Sequence, residues 1–331
     1  MKNTIYHPPR KIPVLGQYDV VVCGGGPAGC AAAIAAARHG AKTLLLEKYG
    51  FLGGATVAQL VSVVLSTNAV DFQGIWHEWA ARLLRRRAMA PLIRSASHFY
   101  PDCAWYRSSV DSEGVKLVWD NLLEEAGAET LLLAHFCGAC VEDDRITGVL
   151  AHTRAGLRLV KARRVIDATG DAAVCHEAGV PWDRGVVDKL WPQQVSLFRR
   201  LGGFPVPGSE GGAALAGGGT AAYRPEALGR VDRLRVDPLD PLAISSALRA
   251  ARREIQHQAE SLPAGRCISA GYLAQGSLRI QQTCMATGQA AGVAAALSIQ
   301  ADKTPRELEP AAVVKQLEAD RDVETALDMS R

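Results

Sequence analysis

A glycine-rich turn at residues 24–29 limits the folds open to this chain, because its sequence is Gly-Gly-Gly-Pro-Ala-Gly. The turn follows a short apolar, β-branched run at residues 18–23 and precedes an alanine-rich segment at residues 28–39. Glu47 ends the next apolar run, which begins at residue 41. A strand, a G-x-G-x-x-G turn, a helix and an acidic residue after a second strand are typical of a dinucleotide-binding βαβ unit.

Each part of this motif has a predicted task. Gly24 permits the tight turn, Gly26 lets the backbone approach a pyrophosphate, and Gly29 lets the helix pack closely on the sheet. The start of the helix then offers N–H donors and positive potential to phosphate groups. Glu47 is expected to accept a hydrogen bond from a ribose hydroxyl. The motif alone leaves both NAD and FAD open.

Composition and charge narrow the class of protein. Hydrophobic residues make up 48% and charged residues 21% of the 331 residues, which is ordinary for globular domains. The net charge is +3 and the basic residues are scattered, so we predict no nucleic-acid partner. The most apolar stretches, residues 57–65 and 285–299, are too short or too rich in Gly and Ala to span a bilayer. Prolines at positions 8, 9 and 13 interrupt the region where an export signal needs an apolar core, so we expect a cytoplasmic protein.

The eight cysteines lack the dense, regular spacing of a disulfide scaffold, and reduced thiols are therefore expected. Cys137 and Cys140 form a C-x-x-C. Residues 130–141 and 146–153 have the pattern of a β-hairpin, in which residues three apart point to opposite faces, so we predict a structural role for this pair. No group of His and Cys has metal-ligand spacing, and no metal is predicted.

Separated segments in the rest of the chain carry a family resemblance. Their sequences are Gly-Gly-Ala-Thr at residues 53–56, Val-Ile-Asp-Ala-Thr-Gly-Asp at 165–171, Gly-Arg-Cys-Ile-Ser at 265–269 and Thr-Cys-Met-Ala-Thr-Gly-Gln-Ala-Ala-Gly at 283–292. Together with Glu47 and Lys48, and in this order, they resemble the FAD-dependent oxidoreductase family of glutathione-reductase-type flavoproteins. That family is related to the flavoprotein subunits of succinate dehydrogenase and fumarate reductase.

The resemblance implies an α/β chain with a Rossmann-like FAD-binding fold. In this fold a parallel sheet carries helices on one face and a β-hairpin or meander on the other. Residues 1–185 and 263–331 would form a discontinuous FAD-binding domain. Residues 186–262 would form a shortened substrate or cap region, which includes a Gly-rich linker at residues 202–219.

The resemblance also implies the cofactor contacts. The glycine pair at residues 53–54 would lie beside the pyrophosphate and ribityl, the strand around Phe136 would lay its backbone along the adenine, and residues 168–170 would close over the nucleotide half. The last helix would aim its start at the flavin N1 and C2 carbonyl. The full set of expected FAD contacts is Gly24, Gly26, Pro27, Ala28, Gly29, Glu47, Lys48, Gly53, Gly54, Ala55, Thr56, Phe136, Ala168, Thr169, Gly170, Asp171, Gly265, Arg266, Arg279, Ile280 and Gln281.

Catalytic residues leave a weaker signal, because flavin chemistry resides in the cofactor and the protein mainly positions the substrate. Arg279 is the candidate charged group near the flavin, where it would bind an anionic substrate or the reduced ring, or else form a structural ion pair. Further candidates are His98 with Tyr100, and His176 with Glu177.

The predicted function is that of an FAD-dependent oxidoreductase that transfers a hydride between a small organic substrate and flavin N5. A redox partner or a second subunit is a further expectation. Residues 52–58 contain no His, so non-covalent FAD is predicted. The short interval at residues 186–262 leaves open a flavin-binding protein with little or no turnover, and the shared G-x-G-x-x-G leaves open an NAD-dependent dehydrogenase.

Overall fold

The computed structural model describes residues 11–67, 74–96, 104–181, 242, 245–246 and 281–325. The strands are β1 (Val14–Cys23), β2 (Thr43–Leu46), β3 (Val63–Thr67), β4 (Ile93–Ala96), β5 (Ala104–Ser109), β6 (Glu129–Leu131), β7 (His135–Glu142), β8 (Arg145–Thr153) and β9 (Gly156–Asp167). The helices are α1 (Pro27–Arg38), α2 (Ala55–Ala58), α3 (Gly74–Arg85), α4 (Ser112–Ala126), α5 (Ala173–Glu177), α6 (Gln281–Gln300) and α7 (Pro310–Thr325), and a short 3-10 turn spans Pro305–Glu307.

The main sheet has six strands in the order β6-β2-β1-β9-β8-β7. The first four of these are parallel to one another, and β9, β8 and β7 form an antiparallel meander. A second sheet contains three antiparallel strands in the order β3-β5-β4.

Alternate residues of β1 face two different hydrophobic cores, one on each side of the sheet. Val20 and Val22 pack on one face with residues of the helices, whereas Val21 and Cys23 pack on the other face with residues of the meander and of α5. All four are fully buried, as expected for a parallel strand that is covered on both sides. The predicted fold class, a Rossmann-like sheet with helices on one face and a meander on the other, is therefore confirmed.

Helix α4 spans Ser112–Ala126 because both of its ends carry strong sequence signals. The Asp111 side chain accepts a hydrogen bond from the Gly114 N–H at 2.8 Å and caps the start. Gly127, with φ 76°, ends the helix in the left-handed conformation.

Other predicted strand boundaries were wrong. The predicted strand at residues 130–141 is divided, because β6 pairs in parallel with β2 at the sheet edge and the meander begins only at β7. The residues between them turn through Leu133, whose φ is 54°. The apolar run at residues 164–168, which by itself indicates a short strand, overlaps the end of the twelve-residue β9. Strands β3, β4 and β5 were not predicted.

Helices α1 and α6 pack closely through small residues. A Cβ added to Gly288 would lie 2.0 Å from the Ala28 carbonyl oxygen, and one added to Gly292 would lie 2.2 Å from the Ala32 carbonyl oxygen. Since the two contacts advance along both helices in the same direction, α1 and α6 run parallel. Their starting ends therefore point to the same side of the molecule.

Helices α3 and α4 complete the helical face through aromatic stacking and a buried charge network. The Trp79 and Trp119 rings are fully buried, with centroids 5.7 Å apart. Glu78, which is 3% exposed, forms ion pairs with Arg38 of α1 and Arg82 of its own helix. The network ties α3 to α1. The predicted cap region, residues 186–262, lies outside the described residues except for positions 242, 245 and 246.

Candidate cofactor site

A cleft of ≈ 230 Å³ opens at the carboxyl ends of β1, β2 and β9. In open α/β sheets, ligands bind in the crevice at this edge. The predicted contact residues that line the cleft are Gly24, Gly26, Ala28, Glu47, Lys48, Gly54, Ala55, Phe136, Ala168, Thr169, Gly170 and Asp171.

The three motif glycines differ in what surrounds them. A Cβ on Gly24, whose φ is +107°, would lie 2.3 Å from the Ala168 carbonyl oxygen, and a Cβ on Gly29 would lie 1.8 Å from the Gly24 carbonyl oxygen. Both glycines are therefore required by the fold. A Cβ on Gly26 would have only the Gly54 Cα within 4 Å, at 3.9 Å. The protein leaves space in front of Gly26, and that space belongs to the cleft.

The start of α1 presents backbone donors to the cleft. Gly26 is the N-cap residue and no side chain caps the helix. Pro27 has no N–H, and the first N–H groups of a helix have no intrahelical acceptor. The N–H groups of Ala28 and Gly29 are thus left for a ligand at a point where the helix dipole favours negative charge. A pyrophosphate fits this position.

Glu47 is held rigidly at the side of the cleft. It is 5% exposed, and its Oε2 accepts from the Gly25 N–H at 2.7 Å while its Oε1 accepts from the Tyr49 N–H at 2.8 Å. An ionised carboxylate has about four acceptor positions, so lone pairs remain for a ribose hydroxyl. The same carboxylate therefore fixes the glycine turn and faces the cleft.

The end of β9 forms a hydrogen-bonded turn around Asp167. Its Oδ1 accepts from the N–H of Thr169 at 3.0 Å and from the hydroxyl of Thr169 at 2.7 Å, and its Oδ2 accepts from the Cys175 N–H at 3.0 Å. The Thr169 Oγ1 in turn accepts from the Ala173 N–H at 3.0 Å. This network holds Gly170, with φ +88°, at the cleft.

The charge of Asp167 also acts on nearby thiols. Burial, and then the negative charge of Asp167, raises the pKa of the Cys23 thiol well above its usual value. The same two causes, in the same order, raise the pKa of Cys175. The raised pKa favours the protonated form of both thiols, so neither Cys23 nor Cys175 is suited to act as a thiolate nucleophile.

Several predicted contacts shape the cleft without lining it. Gly53, with φ +111°, donates its N–H to the Gly25 carbonyl at 2.9 Å and so attaches the second glycine pair to the first turn. Thr56 is fully buried, and its hydroxyl has no hydrogen-bond partner among the described residues. Pro27 and Gly29 lie inside the start of α1.

The remaining predicted residues do not line the cleft or lie outside the described residues, and Gln281 is among the former. Gln281 is the first residue of α6 and is buried. His176 and Glu177 lie on α5 and do not line the cleft. Outside the described residues lie Gly265, Arg266, Arg279, Ile280, His98 and Tyr100.

Some residues that line the cleft were not predicted from the sequence. Tyr49 and His135 extend the predicted segments by one position on the cleft edge, and Asp167 precedes the predicted turn. Cys284 and Thr287 line the cleft from α6. Their spacing of three residues, continuing from Gln281, is the signal that would have identified them.

The C-x-x-C pair lies in β7 and not at a helix start. Cys137 is exposed and donates to the Leu150 carbonyl at 3.4 Å, whereas Cys140 is half-buried, and neither forms a disulfide. Burial and then the charge of Glu142 raise the pKa of Cys140. A redox-active pair needs a lowered thiol pKa, so the local electrostatics favour the predicted structural role.

Groups of three or more metal ligands and membrane-spanning helices are both lacking in the described part of the chain. Within it, no group of three or more His, Cys, Asp or Glu side chains is placed to hold a metal ion. Over the same residues, no helix has the length and apolar character needed to cross a bilayer.

The chain is similar to curated proteins of more than one kind. It is 34% identical over 188 residues to digeranylgeranylglycerophospholipid reductase 1 of Methanopyrus kandleri, covering 54% of this chain and 45% of that protein. It is 31% identical over 169 residues to the tRNA uridine 5-carboxymethylaminomethyl modification enzyme MnmG of Geobacter sulfurreducens, covering 46% of this chain and 24% of that protein. The chain thus spans less than half the length of either relative.

A solved structure supports the fold over a longer range. A geranylgeranyl bacteriochlorophyll reductase-like protein from Thermoplasma acidophilum superposes with a TM-score of 0.51 at 15% identity, covering 93% of this chain and 85% of that one. At this identity the likeness concerns the fold alone.

A family profile covers most of the sequence. The profile described as FAD dependent oxidoreductase matches residues 19–261 and 257–317. The matched ranges include the glycine turn, the acidic residue after β2, the turn that ends β9 and all of α6. This chain therefore belongs to the FAD dependent oxidoreductase family, whose cofactor is FAD.

Proposed function

We propose that this chain is an FAD-dependent oxidoreductase that binds FAD non-covalently in the cleft and transfers a hydride between a small organic substrate and the flavin. The observation that carries the proposal is the open space in front of Gly26. A Cβ added there would have the Gly54 Cα, at 3.9 Å, as its nearest neighbour outside the adjoining backbone. A glycine that the fold does not require, at the start of a helix with free N–H groups, is explained by a phosphate ligand.

Different residues around this space would bind different parts of FAD. The N–H groups of Ala28 and Gly29 would hold the pyrophosphate, and the buried carboxylate of Glu47 would accept from the adenosine ribose. Phe136, on the cleft edge of β7, would lie beside the adenine. The turn at residues 168–171 would cover the nucleotide half. FAD, when bound, supplies hydride acceptance and donation at flavin N5.

Family membership favours FAD over NAD as the dinucleotide. The absence of His from residues 52–58 supports non-covalent attachment. The two relatives described above are named for a phospholipid and for tRNA, so the similarity favours a redox cofactor shared by enzymes with different substrates. The small organic substrate and the absence of a nucleic-acid partner stay predictions.

A second candidate is a flavin-binding protein with little turnover. The short interval between the turn that ends β9 and residue 263 favours it, because little chain remains to exclude water from a reacting flavin. The two functions differ in one measurement, the rates at which donors reduce the bound flavin and acceptors reoxidise it. An enzyme shows turnover with some donor and acceptor pair, whereas a binding protein keeps its flavin oxidised in the presence of every donor offered.

The substitution Gly26→Ala tests the site itself. Gly26 has φ −75° and ψ 178°, which alanine adopts freely, so the melting temperature of the apoprotein should be unchanged. The added methyl group occupies the position of the pyrophosphate, and FAD affinity should fall about 100-fold or more, a loss of about 2.7 kcal/mol. Calorimetric titration with FAD measures the affinity.

Gly50→Ala is the matched control. A Cβ on Gly50 would make ordinary contact with the Leu133 side chain at 3.6 Å, and Gly50 does not line the cleft. This variant should bind FAD as the wild type does. Unchanged FAD affinity in Gly26→Ala would show that the pyrophosphate lies elsewhere and would contradict the proposed site.

A further inference from the structure

Two exposed histidines face each other on neighbouring strands of the meander. In the antiparallel pairing of β7 with β8, His135 lies directly opposite His152. Both histidines are exposed, whereas the residues beside them along the chain, Ala134 and Ala151, are buried. Side chains that lie directly opposite each other in an antiparallel pair project from the same face of the sheet. The strand pairing therefore brings two imidazoles together on one face, in contact with solvent.

The spacing of such a pair suits a shared metal ion. Directly opposite residues have Cβ atoms about 4.5–5.5 Å apart. A zinc ion holds each imidazole nitrogen at about 2.0–2.1 Å, so two nitrogens that share the ion lie at most about 4 Å apart. Rotation about the side-chain bonds of two exposed histidines brings their nitrogens within this distance. The backbone of the two strands need not move.

The two imidazoles are not engaged elsewhere in the described ranges. No hydrogen bond or ion pair joins His135 or His152 to another residue there. Leu157 of β9, which lies opposite His152 on its other side, adds no charge to this row of residues. A neutral imidazole keeps one ring nitrogen as an acceptor, and this nitrogen is the commonest metal ligand in proteins. Both side chains are therefore available to a metal.

The sequence does not reveal this pair, because the two histidines come together only when β7 pairs with β8. With two protein ligands, the pair is also smaller than the three-residue groups that the described residues lack. Imidazole ligands suit zinc and copper, whereas magnesium prefers oxygen ligands. Water can complete the coordination of an ion at an exposed site.

We propose that His135 and His152 form a two-histidine site for a divalent metal of the zinc or copper kind. The ion takes one ring nitrogen from each histidine and water at its remaining positions. His135 also lines the cleft, next to Phe136, so the metal site adjoins the rim of the cofactor site. The two ligands are on neighbouring strands, and a bound ion links β7 to β8. This site goes beyond the proposed function, because it does not require FAD.

The test is a calorimetric titration of the untagged, full-length chain with Zn²⁺. The wild type is compared with His135→Gln and with His152→Gln. Both substitutions are at exposed positions, so the melting temperature without metal should stay within the small range typical of surface changes. The melting temperature of each protein is measured with and without Zn²⁺, because an ion that binds only the folded chain stabilises it.

Either histidine variant should bind Zn²⁺ more weakly, because one imidazole alone cannot chelate the ion. The affinity should fall by more than about tenfold, which is the smallest effect typical of losing even a residue that only orients a ligand. The rise in melting temperature that Zn²⁺ gives the wild type should shrink in both variants. Mg²⁺ should give the wild type no such rise.

Two further variants are the controls. Cys137 is exposed and lies two residues after His135, and thiolates also bind zinc, so Cys137→Ser tests whether a thiol is the ligand. His176 is an exposed histidine of α5, and His176→Gln repeats the same substitution away from the strand pair. Both control variants should bind Zn²⁺ as the wild type does.

Several outcomes would overturn the inference. They are a wild-type Zn²⁺ affinity in either histidine variant, an equal loss of affinity in either control variant, and Mg²⁺ binding as tight as Zn²⁺ binding. A wild type that binds FAD but not Zn²⁺ overturns this inference and leaves the proposed function standing. A wild type that binds Zn²⁺ through both histidines but takes up no FAD has the opposite meaning.

Discussion

The starts of α1 and α6 lie on the same side of two parallel, closely packed helices, but they carry different polar groups. At α1 the glycine turn exposes backbone N–H groups, and the contact depends on the absence of a side chain at Gly26. At α6 a buried side-chain amide, that of Gln281, is available. Phosphate is bound by the backbone because it needs close approach and positive potential. The protein groups that tune a redox cofactor include hydrogen bonds and charges near its ring.

The largest effect is expected at Gly288, where close packing fixes the starts of α1 and α6 relative to each other. Gly288→Val should force α6 away from α1, because its Cβ would lie 2.0 Å from the Ala28 carbonyl oxygen. Overpacking typically costs about 1–3 kcal/mol, and a contact between two helix backbones belongs at the upper end. Urea unfolding should show a loss of about 3 kcal/mol, and FAD affinity should fall as well.

Ala286→Val is the control for this prediction. Ala286 is an exposed residue of the same helix, so the variant carries the same β-branched side chain without the clash. Its stability should change by less than about 0.5 kcal/mol. Equal stability in the Gly288 and Ala286 variants would mean that the close packing does not set the distance between the helix starts.

A smaller effect is expected from Glu47→Gln at the α1 end. The amide keeps one acceptor oxygen, but its NH₂ group would face the N–H of Gly25 or of Tyr49. An unmade buried hydrogen bond costs about 1–3 kcal/mol, and the affinity for FAD should drop about tenfold, since the ribose acceptor is weakened. Thermal unfolding and FAD titration measure the two effects.

The matched surface change is Glu113→Gln. Glu113 pairs with Lys116 on α4, and its side chain is 74% exposed. Such pairs contribute about 0–1 kcal/mol, so this variant should behave as the wild type. A Glu47 variant with wild-type stability would show that the carboxylate does not hold the glycine turn.

Some parts of the site and of the fold can be predicted from the sequence, and others cannot. The glycine turn, Glu47 and the turn after β9 are predictable, because backbone geometry permits only certain residues at these positions. Strands β3, β4 and β5 are not, since exposed residues such as Val63 and Ile93 blur the alternation of apolar and polar residues. The split at β6 depends on pairing with β2, a contact that is distant in sequence.

The contribution of the start of α6 to the site was predicted only through the family resemblance. Its Ala and Gly residues indicate close packing but do not show which face meets a cofactor. The unpaired state of the Gln281 amide is a property of the folded chain.

The smallest effect is expected at the far end of β1, away from both helix starts. Burial, followed by the hydrogen bond to Glu129 and its charge, raises the pKa of Tyr18 from 10.0 to about 12. The unfolded chain loses this proton near pH 10 and the folded chain near pH 12. The stability from Tyr18 is therefore fully present below pH 10 and is lost as pH rises toward 12.

Tyr18→Phe should remove this part of the pH dependence. Urea midpoints at pH 9 and pH 11.5 should differ less in the variant than in the wild type, while FAD affinity at pH 7 stays unchanged. An equal fall in both proteins would show that Tyr18 does not contribute to the loss at high pH. A change in FAD affinity would show that the two ends of β1 are coupled.

The most direct test of the central claim is the visible absorption spectrum of the purified chain. The protein is incubated with FAD, freed of excess cofactor, recorded, and then denatured by heat and centrifuged. We expect flavin absorption bands in the folded protein and free FAD in the supernatant, as a non-covalent site requires. A protein that remains colourless after reconstitution would contradict the assignment of the cleft to FAD, and flavin that stays with the pellet would contradict non-covalent binding.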